Sequence, residues 1–184
     1  MPSGSGCRDE VGAVTAGDLL QRLWAPHRMA YVTGDDPSAS EPGNQCPFCR
    51  IPGEDPADSL VVARGAVAYA VLNLHPYNPG HLMVLPYRHV AEYEDLTLEE
   101  AADVALLTQR ALRTLRTVSE PNGFNIGLNL GGVAGGSLSD HLHQHVVPRW
   151  SGDANFITIV GETKLLPQLL ADTRDLLAAA WPAP

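Results

Sequence analysis

Apolar and polar positions along this chain change period several times, and each change marks an element. Residues 1–16 carry glycine, serine and charge with no periodicity, a composition that does not fold by itself. Leu19, Leu20, Leu23 and Trp24 predict a short helix stopped by Pro26, and residues 33–45 are a connector by composition. The expected organisation is therefore a partly disordered arm over 1–45, with one short helix, and a single domain over 46–184. Within it, residues 60–63 and 66–72 are β-type runs around Arg64-Gly65, a hairpin pattern. Two prolines and a glycine make 73–80 a loop, and His81-Leu82-Met83-Val84-Leu85 reads as a third strand ended by Pro86. Thr97 and Glu100 then form a Thr-x-x-Glu capping box. Val104, Leu107, Ala111, Leu115 and Val118 follow at helical spacing, one apolar stripe for a sheet to cover, until Pro121 and Gly123 end the helix. Residues 124–129 alternate as a strand should, and a glycine-rich loop over 131–136 leads into His141-Leu142-His143-Gln144-His145-Val146-Val147. A last amphipathic helix carries Leu165, Leu169, Leu170, Leu176 and Leu177. Strands with one helix inserted and one appended predict an α+β domain with a mostly antiparallel sheet of about five strands.

Composition narrows the function. A chain of 184 residues supports one domain with a sizeable core. Its net charge is −9 and Lys164 is its only lysine, which argues against a surface for nucleic-acid backbone. An anionic ligand would have to be held locally, by backbone amides, histidines and Arg149, against an unfavourable overall field. The first ten residues contain no signal-peptide core, and no segment reaches the ~20 apolar residues needed to span a bilayer. Three cysteines, two of them in Cys46-Pro47-Phe48-Cys49, do not form a disulfide framework, so a reducing cytoplasm is expected.

Three histidines in five positions are the strongest chemical signal. On a strand, His141, His143 and His145 would share one face; on a helix, His143 would lie opposite the other two. Val146-Val147 favours a strand, which Pro148 would end. A single zinc bound by the whole row is disfavoured: at ~3.3 Å per residue the outer two are about 13 Å apart, whereas ligand nitrogens sit about 2.0–2.1 Å from the metal. A neutral imidazole is instead a good nucleophile near pH 7. Cys46-x-x-Cys49 is not a thioredoxin-type pair on this pattern, because Arg50-Ile51-Pro52-Gly53 does not open a helix. Two surface thiols, or two of the four ligands of a structural zinc, remain as readings.

The heptad from His141 to Val147 resembles the signature of the histidine triad superfamily, His-φ-His-φ-His-φ-φ, with Gln144 where an apolar residue is usual. The resemblance spans about residues 46–160 and includes Asn73, Pro79-Gly80-His81 and Pro148-Arg149. It is nearest to diadenosine tetraphosphate phosphorylases and similar hydrolases, through Leu23-Trp24-Ala25-Pro26, Arg28-Met29, Pro76-Tyr77-Asn78 and Gly152-Asp153-Ala154-Asn155-Phe156. It implies nucleotidyl transfer or hydrolysis through a covalent adduct on His143, with His145 as proton donor and His141 and His81 in support. It implies a ribose contact from Asn73, which by itself also reads as a residue chosen for the turn; independently of the resemblance, the glycine-rich loop can hold phosphate through backbone N–H groups at Gly135, Gly136 and Ser137, with the Asn129 side-chain amide at its start. The resemblance implies a structural zinc on Cys46, Cys49, His89 and His141, no organic cofactor, an adenine nucleotide substrate, and a homodimer joining two sheets side by side. Two other classes stay open: a metal-dependent hydrolase using the histidine row as ligands, and an AMP-binding module without turnover.

Overall fold

The structure, a computed structural model, describes residues 46–55, 59–134, 138–153, 158, 160–161 and 166–182. The arm, with its expected helix near Leu19–Trp24, therefore lies outside the described residues. A single helical turn, α1 (Pro47–Arg50), and a 3-10 turn (Ile51–Gly53) open the domain. Strands β1 (Val61–Arg64), β2 (Ala68–Leu72) and β3 (Leu82–Pro86) follow, then helix α2 (Leu98–Ser119), strands β4 (Gly123–Leu128) and β5 (Gln144–Arg149), and helix α3 (Leu170–Ala179). The five strands form one sheet in the order β1-β2-β3-β5-β4, every neighbouring pair antiparallel. The α+β reading holds.

The two faces of this sheet do different work. Val62, Ala68, Ala70, Leu72, Leu82, Val84 and Val146 face Val104, Leu107, Ala111 and Leu115 of α2, with Leu177 of α3 added. The helix starts where the sequence places it: Thr97 Oγ1 accepts the Glu100 amide at 3.2 Å, and Glu100 Oε2 accepts the Thr97 amide at 2.9 Å. Its stripe fell at the expected positions because period 3.6 aligns them over the sheet. The opposite face carries Tyr69, Val71, Met83 and Leu85, closed by Phe48 from α1. Every residue of β2 and of β3 is thus buried, and both read as continuous apolar runs.

Gln144 resolves its departure from the signature on the helix side. Its amide donates to Thr108 Oγ1 at 2.7 Å, and that hydroxyl donates to the Val104 carbonyl at 2.7 Å. A polar residue is tolerated there because the helix supplies an acceptor.

Three local expectations are corrected. The segment after Cys46 does open a helix, though for one turn only, with Cys46 at its N-cap. The C-terminal helix begins at Leu170 and buries Thr173 and Leu177; Leu169 is 73% and Leu176 43% exposed, so the leucine stripe overstated its core face, and Leu165 lies outside the described residues. The triad is not wholly on a strand. The β5 ladder starts at Gln144, opposite Val84 on one side and Leu128 on the other, and His141 and His143 precede it. The reason is visible at Leu142, whose amide donates to Val90 at 2.7 Å, beyond the end of β3, rather than to a strand.

Candidate active site and metal centre

His145 sits opposite Met83 in the β3–β5 ladder, on the face away from α2. His143 is buried just upstream, its ring 5.0 Å from that of His145 and steeply inclined to it at 76°. Phe48 packs on this group from above, with ring centroids 5.1 Å from His143 and 5.6 Å from His141. The Tyr69 hydroxyl donates to the Phe48 carbonyl at 2.6 Å, which pins α1 to the sheet.

The hydrogen-bond partners fix the proton on each ring. A carbonyl only accepts, so His143 Nδ1 carries the proton it gives to the His141 carbonyl at 2.8 Å, and Nε2 keeps its lone pair. His141 Nε2 donates to the Pro86 carbonyl at 3.0 Å, which leaves Nδ1 as its lone-pair nitrogen. The Tyr77 amide donates to His81 Nδ1 at 3.1 Å, so His81 is protonated on Nε2 and donates to His145 Nδ1 at 2.9 Å. His145 then presents Nε2–H. These assignments follow from the partners alone.

Burial keeps the rings neutral. His81, fully enclosed, is pushed down to about 3 by burial and then by the neighbouring His145 and His143. Burial, with His143 as a smaller cause, brings His145 down to about 4. Burial also lowers His143, opposed by its bond to the His141 carbonyl. The site thus holds a neutral nucleophile candidate beside a neutral donor.

Asn73 serves the turn and the histidine at once. Its Oδ1 accepts the His75 amide at 3.0 Å, and its Nδ2 lies 3.4 Å from His81 Nδ1. His81 follows Gly80, whose φ of +73° and whose Cβ position, 3.0 Å from Leu115 Cδ2, exclude a side chain without strain. Asn129 lines a cavity beside His145, whereas Gly135, Gly136 and Ser137 lie outside the described residues. Gly131, at φ +73°, and the 3-10 turn Gly132–Ala134 form the described part of that loop.

The second cluster is the cysteine pair. One ligand atom from each of Cys46, Cys49, His89 and His141 lies within 4.8 Å of all the others. His141 Nδ1 is 3.3 Å from Cys46 Sγ and 3.5 Å from Cys49 Sγ, and His89 Nδ1 is 3.5 Å from Cys49 Sγ. A tetrahedron with zinc–sulfur bonds of about 2.3 Å and zinc–nitrogen bonds of about 2.0–2.1 Å has sulfur–nitrogen edges of roughly 3.6 Å. The donor set fits zinc by number, type and spacing. The His141 Nε2–H bond to Pro86 is the kind of outer partner that fixes a ligating ring.

Residues 54–152 match the model of the HIT domain family. The chain belongs to the HIT domain family. It is similar to the AP-4-A phosphorylase of Mycobacterium tuberculosis, 60% identical over 168 residues that cover 89% of this chain and 86% of that protein. It is also similar to the asymmetrical bis(5'-nucleosyl)-tetraphosphatase of Schizosaccharomyces pombe, 34% identical over 98 residues covering 53% of each chain. Among solved structures, a zinc-bound histidine triad family protein from Mycobacterium smegmatis superposes with a TM-score of 0.61 at 29% identity, covering 74% of this chain and 92% of that one. The HIT match starts at residue 54, so Cys46 and Cys49 lie ahead of it and reach the triad through α1.

Two residues quoted within motifs were given no role of their own by sequence reasoning. Phe48 was hidden between the cysteines, although an apolar residue inside Cys-x-x-Cys is a signal for a buried turn. Tyr77 lies over His81 and His145, with ring centroids at 4.7 and 5.8 Å. An aromatic in a polar loop four residues before His81 was the available signal.

Proposed function

We propose that this HIT protein cleaves dinucleoside polyphosphates, diadenosine tetraphosphate among them, through a nucleotidyl adduct on His143. The observation that carries the proposal is the His143 ring, anchored through Nδ1–H to the His141 carbonyl with Nε2 left as a lone pair beside His145. The M. tuberculosis and S. pombe relatives support the substrate class by their names. In the first step His143 Nε2 forms a bond to the α-phosphorus as the bridging P–O bond breaks. The leaving oxygen accepts a hydrogen bond from His145 Nε2–H. His145 keeps its proton: polyphosphate is a weak base and leaves as the anion, its developing charge met by that N–H. In the second step the acceptor oxygen attacks phosphorus, the P–N bond breaks with its electron pair returning to His143 Nε2, and a water acceptor releases its proton to solvent. His81 holds the tautomer of His145, and His141 supplies the carbonyl that orients His143.

The phosphate-holding donors in this reading are Asn129, Gly135, Gly136 and Ser137, with Asn73 on the ribose. Zinc on Cys46, Cys49, His89 and His141 would supply structure by tying α1 to the triad segment. The metal set supports this role, since it takes only the first triad histidine and leaves His143 outside. Strand β4 is a sheet edge with Ile126 48% exposed, which supports a homodimer in which a second copy pairs at that edge. No helix among the described residues is long and apolar enough to cross a membrane. Cys46 and Cys49, not joined in a disulfide, support a cytoplasmic location, which cell fractionation checks. Incubation with diadenosine tetraphosphate, with and without phosphate, tests the function. ATP with AMP denotes transfer to water, ATP with ADP transfer to phosphate, and no cleavage under either condition contradicts the proposal.

A further inference from the structure

Beside the triad lies a cavity of about 390 Å³, walled by Tyr77, Asn125, Ile126, Asn129, His145 and Arg149 among others. Its size is that of a small-molecule site. His145 forms part of its wall; His143, His141 and Asn73 do not. The cavity therefore opens on the donor side of the nucleophile, away from the asparagine assigned above to the ribose of the transferred nucleotide.

Its lining has two characters. The Tyr77 ring is tilted over His81 and lies 25° from parallel to His145, yet the residue is 56% exposed. One ring face is thus spent on the histidine pair and the other is open. Arg149 closes the far end, four residues from His145, about 13 Å along the strand. Its guanidinium is not loose: Nε and Nη2 donate to Asp153 at 2.6 and 3.0 Å, and Nη1 donates to Asn125 at 2.7 Å. Asn78, itself buried, holds Asp153 from behind at 2.7 Å. Three of the five guanidinium donors are engaged in these bonds, which leaves two to offer.

From this we infer that the cavity receives the leaving half of the substrate, a second nucleotide, with its planar base on the open face of Tyr77 and polar groups toward Arg149 and Asn125. The inference rests on the proposed reaction and extends it: the enzyme selects for a leaving group that carries a base. Stacking on an aromatic side chain is sequence-tolerant, so the second base is selected for being planar rather than for its identity.

The test compares two substrates with the same α-phosphorus, diadenosine tetraphosphate and adenosine 5'-tetraphosphate, whose leaving group lacks the second nucleoside. Wild type is expected to favour the dinucleotide in kcat/KM by about ten-fold, the scale of one stacked base. Tyr77→Ala should bring that ratio close to one, Tyr77→Phe should keep it, and Asn125→Trp, which fills the cavity, should lower it. Tyr77→Ala retains the backbone amide on His81, and a thermal melt and circular dichroism confirm its fold. Equal preference in wild type, or equal losses on both substrates in Tyr77→Ala, would overturn the inference and leave Tyr77 a positioning residue only. Failure of wild type to cleave either nucleotide would instead overturn the proposed reaction.

Discussion

His143 has one ring nitrogen committed to a carbonyl and one left open, and its neighbours are arranged in the complementary sense. The Tyr77 amide sets His81, His81 sets His145, and His145 keeps Nε2–H as a donor on a ring beside that of His143. Removing the His143 ring, the proposed nucleophile, should leave this frame standing. His143→Ala is expected to lower kcat by more than about a thousand-fold while AMP affinity, measured by calorimetry, changes little. Residual turnover close to wild type would exclude His143. The same buried rings give stability a sign with pH. Folded His81 and His145 refuse protons down to about 3 and about 4, whereas the unfolded chain takes them up near 6.5. The unfolded state therefore binds more protons between those values, and stability falls as pH falls through that window. Urea midpoints should be level above about pH 7 and decline below about pH 6.5, less steeply in His81→Gln. A midpoint that rises on acidification would contradict the assignment of neutral rings.

At the scale of elements, α1 is the part that sequence reading understated. Period and capping revealed α2 and the strands, because Thr97, Glu100 and the Val104-to-Leu115 stripe are local signals. The four-residue cluster proposed to hold zinc was legible only through resemblance, since nothing local links Cys46 to His89 and His141; the chain closure that joins them is tertiary. The regular strand expected over the whole triad failed for a similar reason: Leu142 pairs with Val90, a partner no alternation of histidines can show. Asn73 was read as ribose contact or turn residue, and in the structure it caps its own turn while reaching His81. The cluster of four ligands gives a direct expectation. Protein purified without added metal should contain one zinc per chain, and Cys46→Ser should lose it together with melting temperature, because a metal held by these four side chains would bridge α1 to the triad segment. Full occupancy with an unchanged melt in that variant would refute the ligand set.

Across the whole molecule, one sheet separates two tasks. The face under α2 supplies most of the aliphatic burial, and the opposite face carries His145, with His143, Phe48 and Cys46 packed on the same side. The exposed β4 edge is the place where a second copy would extend the sheet, so sedimentation should give twice the chain mass, and a charge at Ile126, as in Ile126→Lys, should shift it toward the monomer. A wild-type monomer at micromolar concentration would oppose that assembly. The net charge of −9 means that neither substrate nor acceptor is drawn in by the overall field, and the reaction must rely on the local donors of one site, used twice. That double use is the central claim, and it leaves a stereochemical record. Cleavage of a dinucleotide with a chiral α-phosphorus, followed by determination of the product's configuration, reads it directly. Two in-line displacements, first by His143 Nε2 and then by the acceptor, predict retention; inversion would mean direct attack by the acceptor and would contradict the covalent adduct.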